Sequence, residues 1–221
     1  MPRQPAGKSE VSGIAKRRAA AKAEASEHYT GRRRDILEAA AAVFRAKGLA
    51  STSIDDIAKA AGVDRATLYY YIGSKDELFR DVVIEAVVNN IQLAEKIAGS
   101  EDPPEEKLQT VIAGVMGSYA QFYPHIFVYL REDAQSISLP ADKDVDIVDL
   151  SRRFDRALMS IVREGVDAGT FRSDVSPKLA AYGIIGMLNW THRWFDPDGL
   201  VDAGDVARAF ATMAIEGLRL R

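Results

Sequence analysis

The sequence of 221 residues contains no cysteine and only three histidines, His28, His125 and His192. The lack of cysteine excludes disulfide bonds and thiolate metal sites. None of the histidines has a second histidine one helical turn away, as a helical metal site would need. The chain also lacks a glycine-rich phosphate loop, a serine or cysteine nucleophile motif and any apolar run near the roughly 18 residues that span a membrane. We therefore expect no catalytic residue, no metal, no cofactor and no membrane insertion.

The most informative stretch is residues 53–75, which predicts two short helices, a tight turn and the cap of a third helix. Ser53 and Asp56 have the spacing of a capping box, so a helix can begin just after Ser53. Gly62 stands where this helix must stop, because glycine tolerates the positive φ usual at a helix C-terminus. Asp64 is a good N-cap for the next helix. A helix, a short turn containing glycine and a second helix are the parts of a helix-turn-helix.

The segment from Gly62 to Leu78, GVDRATLYYYIGSKDEL, resembles the signature of the TetR family of transcriptional regulators. The resemblance extends without a gap over about residues 31–80. Ile72 and Gly73 depart mildly from the family, which more often has Phe and Pro there, and neither departure removes a residue type that contacts DNA. The resemblance implies a homodimer that binds a palindromic operator in double-stranded DNA, since the two-fold symmetry of such an operator mirrors that of the dimer.

The second helix of the motif, at about residues 65–71, should lie in the major groove with its N-terminal half against base edges. Arg65 either reads a guanine or binds a phosphate. Lys75 lies in the first turn of the following helix, where free backbone N–H groups already favour phosphate. The DNA-binding candidates are Thr52, Ser53, Arg65, Ala66, Thr67, Tyr69, Tyr70 and Lys75, of which Thr52 and Ser53 rest on the family resemblance. We assign Ile57, Val63 and Leu68 to the core of the head and favour packing for Tyr71.

Charge is distributed unevenly, although the net charge is only −3. Residues 1–80 carry 15 Lys and Arg against 10 Asp and Glu, whereas residues 81–221 carry 14 against 22. A basic front on an acidic body favours contact between the front and a polyanion, and random surface charge is the alternative. Residues 1–29 predict a flexible basic arm, which either follows the DNA backbone or is a solvated tail. This arm lacks the apolar core of a secretory signal, and the family resemblance implies a bacterial protein, so we expect a cytoplasmic location, with nucleoid association when the protein is bound to its operator.

Apolar periodicity predicts an all-α fold of about nine helices and no strand. Three of them form the helix-turn-helix head at residues 30–78, and the others form a larger ligand-binding and dimerisation domain at residues 79–221. Ser176, followed by Pro177 at its favoured first position, is the predicted cap of the penultimate helix. A loop is predicted at residues 136–144. The helices are expected at about residues 32–47, 54–61, 65–71, 75–98, 104–122, 125–132, 145–168, 176–196 and 202–220.

The family resemblance implies that the last two long helices, here about residues 176–196 and 202–220, form the dimer interface as a four-helix bundle. Small residues at Ala180, Gly183 and Gly186 would let helices approach closely, although packing within one chain fits the same residues. The resemblance also implies a ligand pocket. Its candidates are large side chains, although each residue of this kind is more often part of a core than a ligand contact: Met116, Tyr119, Phe122, Tyr123, Phe127, Arg131, Phe154 and Trp190.

Residues 189–195, NWTHRWF, are similar to TetR-type regulators of lipid and acyl-CoA catabolism. This similarity implies a bulky, mainly apolar effector, such as an acyl-CoA whose phosphates would need Arg152, Arg153 or Arg193. We therefore expect a ligand-responsive regulator, a repressor that the effector releases from DNA. The alternative is a ligand-binding or scaffolding helical dimer that does not bind DNA specifically, and the intact DNA-binding candidates argue against it.

Overall fold

A computed structural model describes residues 27–131 and 147–220. These ranges contain nine α-helices, a 3-10 turn at Thr191–Arg193 and no strand, apart from one isolated bridge between Phe171 and Arg219. The all-α prediction is confirmed. The helices are α1 (Glu27–Lys47), α2 (Ile54–Ala60), α3 (Arg65–Tyr71), α4 (Lys75–Ala98), α5 (Pro104–Gln121), α6 (His125–Arg131), α7 (Ile147–Asp167), α8 (Pro177–Trp190) and α9 (Ala203–Leu218).

Two predictions fall wholly or largely outside the described residues. The predicted loop at residues 136–144 lies there, and so does the predicted arm up to residue 26. Residues 27–29 of that arm belong instead to α1, which begins at Glu27 and not near Arg32. The penultimate helix also ends earlier than predicted, at Trp190, where the 3-10 turn takes over.

The chain divides into two compact units, the first ending at Phe79 and the second beginning at Arg80. Helix α4 therefore starts in the first unit and ends in the second. No helix among the described residues is long and apolar enough to cross a membrane.

Local hydrogen bonds fix the ends of the helices in the first unit. The Ser53 hydroxyl accepts from the backbone N–H of Asp56 at 3.1 Å, and the Asp56 carboxylate accepts from the backbone N–H of Ser53 at 3.0 Å, which completes the predicted capping box. Gly62 has the expected positive φ, +62°. The Asp64 carboxylate then accepts from the backbone N–H of Thr67 at 2.6 Å. These bonds satisfy N–H groups that the first turn of a helix leaves without partners.

The core of the first unit is built from apolar side chains of all four helices, and Phe44 meets Phe79 edge to face with ring centroids 5.7 Å apart. Ile57 and Leu68 are fully buried, as predicted. The prediction for Val63 is wrong, because its side chain is only partly buried in the turn. The remaining large core side chains of this unit are Ile36, Ile72 and Leu78.

The second unit packs α5 against α9, α7 against α8, and α5 against α7. Lys107 is buried where these elements meet and donates to both carboxylate oxygens of Glu164, at 2.9 and 2.7 Å. Ser176 occupies the N-cap position of α8, but its side chain makes no capping hydrogen bond. The prediction of a serine cap is therefore wrong in that detail, and Pro177 at the first turn begins the helix without it.

Candidate functional site

Helix α3 presents one polar face to solvent because a single buried residue anchors its opposite face. Leu68 is fully buried, whereas Arg65, Ala66 and Tyr70 are exposed. Thr67 and Tyr69 are partly exposed on the flanks of the same surface. Five of the eight predicted DNA-binding residues thus share one face of a two-turn helix.

Arg65 is held in place by two neighbours. Its Nη1 lies 3.3 Å from both carboxylate oxygens of Asp55 in α2, and its guanidinium lies 5.6 Å from the centroid of the Tyr69 ring. Hydrogen bonding to Tyr69 and the charge of Asp55 raise the pKa of Arg65, which is therefore always cationic. Sequence reasoning missed Asp55, although its place in the first turn of the helix that precedes α3 was a usable signal.

The remaining predicted residues lie around the start of α2 and α4. Thr52 is only 4 % exposed and its hydroxyl donates to the carbonyl of Gly48 at 2.7 Å, so its side chain packs inside the unit and is not offered to DNA. Ser53 is exposed at the N-cap of α2. Lys75 donates to the carbonyls of Leu49 at 2.8 Å and of Thr52 at 3.0 Å. An ammonium group has three N–H donors, so one N–H of Lys75 beyond these two bonds can still donate to another acceptor.

Tyr71 belongs to an aromatic cluster, as the preference for packing predicts. Its ring stacks on Tyr29 of α1, with centroids 5.0 Å apart and an angle of 26° between the planes. Tyr70 meets both rings edge on, at 6.1 Å from Tyr29 and 5.1 Å from Tyr71. This cluster joins the end of α3 to the start of α1 and holds Tyr70 at the edge of the exposed face.

The basic excess of the first 80 residues does not come from the folded head. Residues 27–79 contain eight Lys and Arg and eight Asp and Glu, so their formal charges cancel. Residues 1–26 contain six Lys and Arg against two Asp and Glu. Attraction of this unit to a polyanion therefore depends on where its cations lie on the surface, while the net positive charge is carried by the preceding segment.

The second unit contains a partly open cavity of about 90 Å³ that side chains of α4, α5, α6, α7 and α8 line. Most of its wall is aliphatic or aromatic: Val87, Ile91, Val115, Ile126, Leu130, Phe154 and Ile185. Its polar lining residues are Asn90, Tyr119, Tyr129, Ser151, Asp155 and Asn189. No group of His, Asp and Glu side chains among the described residues could hold a metal ion.

Of the eight side chains predicted for a pocket, Tyr119 and Phe154 line this cavity and the other six do not. Met116 and Phe127 are buried in the core, and Trp190 is 59 % exposed. Successive helical residues point about 100° apart, so Asn189 faces the cavity while the adjacent Trp190 faces outward. The others outside the lining are Phe122, Tyr123 and Arg131.

The polar groups of the cavity differ in how far the protein satisfies them. The Tyr119 hydroxyl donates to Asn189 Oδ1 at 3.1 Å, and burial raises the pKa of Tyr119. The hydroxyls of Tyr129 and Ser151 are 2.5 Å apart. Burial also raises the pKa of Tyr129 and of Asp155.

Asn90 is the cavity residue that the protein leaves least satisfied. Its side chain is buried, and its Oδ1 has no hydrogen-bond partner. Sequence reasoning missed Asn90, yet the signal was present. Asn90 lies seven positions after Val83 and four before Ala94, in the buried stripe of α4.

A helix-turn-helix head with an exposed second helix, followed by a larger helical unit with a cavity, is the arrangement of a DNA-binding transcriptional regulator. Residues 36–82 match the family described as bacterial regulatory proteins, tetR family. Residues 101–218 match the family described as tetracyclin repressor-like, C-terminal domain. The chain belongs to the TetR family of transcriptional regulators, which are not enzymes.

Individual relatives agree with this assignment. The HTH-type transcriptional repressor KstR2 of Rhodococcus jostii (strain RHA1) is 28% identical over 193 residues, which cover 86% of this chain and 92% of that protein. The crystal structure of the TetR family regulator PfmR from Thermus thermophilus is 34% identical, with a TM-score of 0.71 over 84% of this chain and 99% of that chain. The structure of AibR in complex with isovaleryl coenzyme A and operator DNA is 22% identical, with a TM-score of 0.68 over 82% and 97%, and shows the fold alone.

Proposed function

We propose that the protein is a homodimeric repressor that acts in the bacterial cytoplasm and binds a palindromic operator through α3 of each copy. A small, mainly apolar effector bound in the cavity of the second unit releases it from DNA. The observation that carries the proposal is the exposed face of α3, which presents a guanidinium, a hydroxyl and two phenols opposite the buried Leu68. The name of KstR2 as a repressor and the operator DNA bound to AibR support it.

On the operator, the N-terminal half of α3 reads base edges in the major groove. Arg65 and Thr67 supply hydrogen bonds, and the small Ala66 permits close approach. Tyr69 and Tyr70 reach phosphates or sugars with their hydroxyls. Ser53 and the remaining N–H of Lys75 bind the backbone, together with the free N–H groups at the start of α4.

The effector is a lipid-derived molecule or an acyl-CoA in this proposal, as the isovaleryl coenzyme A of AibR suggests. The apolar wall of the cavity fits an acyl group or a ring. None of the three arginines predicted to hold phosphates lines the cavity. Arg153 pairs with Glu95 at 2.8 and 2.7 Å, and Arg193 lies 5.0 Å over the ring of the exposed Trp190. Any phosphates of the effector therefore lie outside the cavity.

The dimer interface is proposed on the exposed sides of α8 and α9. An added Cβ would meet nothing within 4 Å at Gly183, Gly186 or Gly217, so packing within the monomer does not require glycine there. Glycine inside a helix costs about 1 kcal/mol relative to alanine. Close approach of a second copy accounts for that cost. Large apolar side chains lie exposed on the same two helices: Leu179, Tyr182, Trp190 and Met213.

Sedimentation velocity tests the interface. Gly183→Leu should convert the dimer to monomer, because a branched side chain would hold the helices apart. Gly117→Leu is the matched control, since Gly117 is also exposed in a helix with open space around its Cβ but lies in α5, outside the proposed interface. A Gly183→Leu protein that sediments like the wild type would remove this interface from the proposal.

Fluorescence anisotropy on the DNA flanking the protein's own gene tests operator binding. Random DNA and two salt concentrations separate specific from non-specific binding, because phosphate contacts make both salt-dependent but only base contacts discriminate. Arg65→Ala should weaken binding to the specific DNA, whereas Lys96→Ala, which removes an exposed cation of the second unit, should not. Equal and weak binding to both DNAs would favour the alternative, a helical dimer without specific DNA binding.

A further inference from the structure

The side chain of Asn90 is only 7 % exposed, and its amide oxygen has no hydrogen-bond partner among the described residues. A buried amide oxygen without a hydrogen bond destabilises the folded state, because it has lost its bonds to water. Val83 and Ala94, on the same buried side of α4, are apolar, so packing alone would be served by an apolar residue at position 90. A hydrogen-bond partner that enters the cavity would account for the asparagine.

Asp155 is a second polar group of the cavity that can accept from a donor. It lines the cavity from α7, and burial raises its pKa. No arginine of α7 forms an ion pair with Asp155 among the described residues. Arg153 is paired with Glu95, and Arg156 lies 3.8 Å from Asp149. No cation therefore compensates Asp155 within the described part of the chain.

The other polar groups of the cavity are already paired with one another. Tyr119 donates to Asn189, and Tyr129 is hydrogen-bonded to Ser151. The described lining includes no Lys, Arg or His. A carboxylate or phosphate buried here would face Asp155 without a countercharge, which is strongly unfavourable. A hydroxyl or an amine could instead donate to Asn90 and Asp155.

The geometry points to an effector whose buried part is a compact apolar body that carries a hydrogen-bond donor and no negative charge, with Asn90 and Asp155 as the groups that receive the donor. This inference rests on the proposed function and narrows its effector class. The cavity of about 90 Å³ is smaller than the roughly 150 Å³ cavity that holds benzene, so the occupant is small or the walls move apart. A carboxylate is disfavoured, and an acyl-CoA fits only with a donor on its acyl part and its phosphates outside.

Isothermal titration calorimetry of the full-length protein with four probes of one ring size tests this chemistry. Benzyl alcohol, benzylamine, toluene and benzoate differ only in the group attached to the ring. The alcohol or the amine should bind about threefold to tenfold more tightly than toluene, which is the range of one net hydrogen bond. Benzoate should bind at least tenfold more weakly than the alcohol. Asp155→Asn separates the two donors, because it should weaken the amine much more than the alcohol.

Asn90→Leu should remove the preference for the alcohol over toluene and raise the melting temperature of the free protein, since it replaces an unsatisfied amide with an apolar group of similar size. Ser118→Ala is the matched control. The Ser118 hydroxyl is also buried without a partner but does not line the cavity, so this change should leave binding unaltered.

The inference is overturned if benzoate binds as tightly as the alcohol, if toluene binds as tightly as both donor probes, or if Asn90→Leu leaves the alcohol preference intact. Anisotropy with operator DNA separates these results from failure of the proposed function. A probe that binds as expected but does not release DNA would refute the effector role and leave the chemistry of the cavity standing. Release of DNA by benzoate would support the effector role of the cavity and refute the proposed chemistry of its ligand.

Discussion

If Arg65 contacts the operator as proposed, Asp55 competes with DNA for it, and substitutions at the two residues should change operator affinity in opposite directions. In the free protein the guanidinium is 3.3 Å from the Asp55 carboxylate, and the two side chains are 59% and 67% exposed. An ion pair this exposed is worth about 0.2–1 kcal/mol. A well-placed arginine contact to DNA is worth about 1–3 kcal/mol. The arginine should therefore leave Asp55 when DNA binds.

The expected magnitudes follow from these two ranges. Arg65→Ala should weaken operator binding by about 1–2 kcal/mol, or roughly fivefold to thirtyfold. Asp55→Asn should strengthen it by up to about fivefold, because the substitution removes both the competing pair and a carboxylate close to the phosphates. Anisotropy at two salt concentrations measures both, and Asp76→Asn in α4 controls for the loss of one negative charge in the same unit.

A double-mutant cycle decides between competition and positioning. If Asp55 competes, Asp55→Asn should help binding less in the Arg65→Ala background, where only the repulsion of phosphates is relieved. If Asp55 instead holds Arg65 in its DNA-reading position, Asp55→Asn should weaken binding in the wild type and have no such effect without the arginine. The second result would refute the competition argument and assign Asp55 a positioning role.

Three further predictions concern the caps, the N-terminal segment and α4. Asp64→Ala should destabilise the first unit, because it removes the side-chain cap of α3. The hydrogen bond from Thr67 lowers the pKa of Asp64. The loss of stability in Asp64→Ala, measured by thermal melts, should therefore be complete above the unfolded pKa of about 3.9 and should disappear as pH falls through the lower folded pKa. Asp64→Ser caps the helix without titrating, so its stability relative to Asp64→Ala should not show this pH dependence. Deletion of residues 2–26 should make the operator-binding constant less dependent on salt. The negative slope of log K against log salt should become shallower by about 0.9 for each phosphate that this segment neutralises. An unchanged slope would indicate a solvated tail. Glu85→Gly, at an exposed position of α4, should leave operator and effector binding each nearly intact but reduce the effect of the effector on operator affinity; Glu85→Ala is its control.

The head was predictable because its determinants are local. The capping box at Ser53, the positive φ at Gly62 and the cap at Asp64 each depend on residues within a few positions of one another. Such signals survive without knowledge of the tertiary structure. The ion pair between Arg65 and Asp55 has no such local signal, because it depends on how α2 and α3 are oriented around the turn.

The cavity was much harder to predict because it depends on helix rotation in a packed domain. Side-chain size favours Trp190 as a pocket residue, but in the structure the adjacent Asn189 faces the cavity and Trp190 is exposed. Thr52 and Ser53 illustrate the same limit at the start of α2, where one hydroxyl is buried and the next is exposed. Residue size favours burial in general but does not decide which side of a helix faces a cavity.

Helix α4 is the one wall of the described cavity that also belongs to the first unit. Leu78 and Phe79 are buried in the core of the head, and Val87, Asn90 and Ile91 line the cavity further along the same helix. An effector changes operator affinity only if it binds the DNA-binding state and the released state of the protein with different affinities. To weaken operator binding tenfold, the two binding free energies must differ by about 1.4 kcal/mol. One hydrogen bond to the unsatisfied Asn90 supplies about 0.5–1.5 kcal/mol. If that bond forms only in the released state, a single polar contact on α4 is of the size that the switch requires.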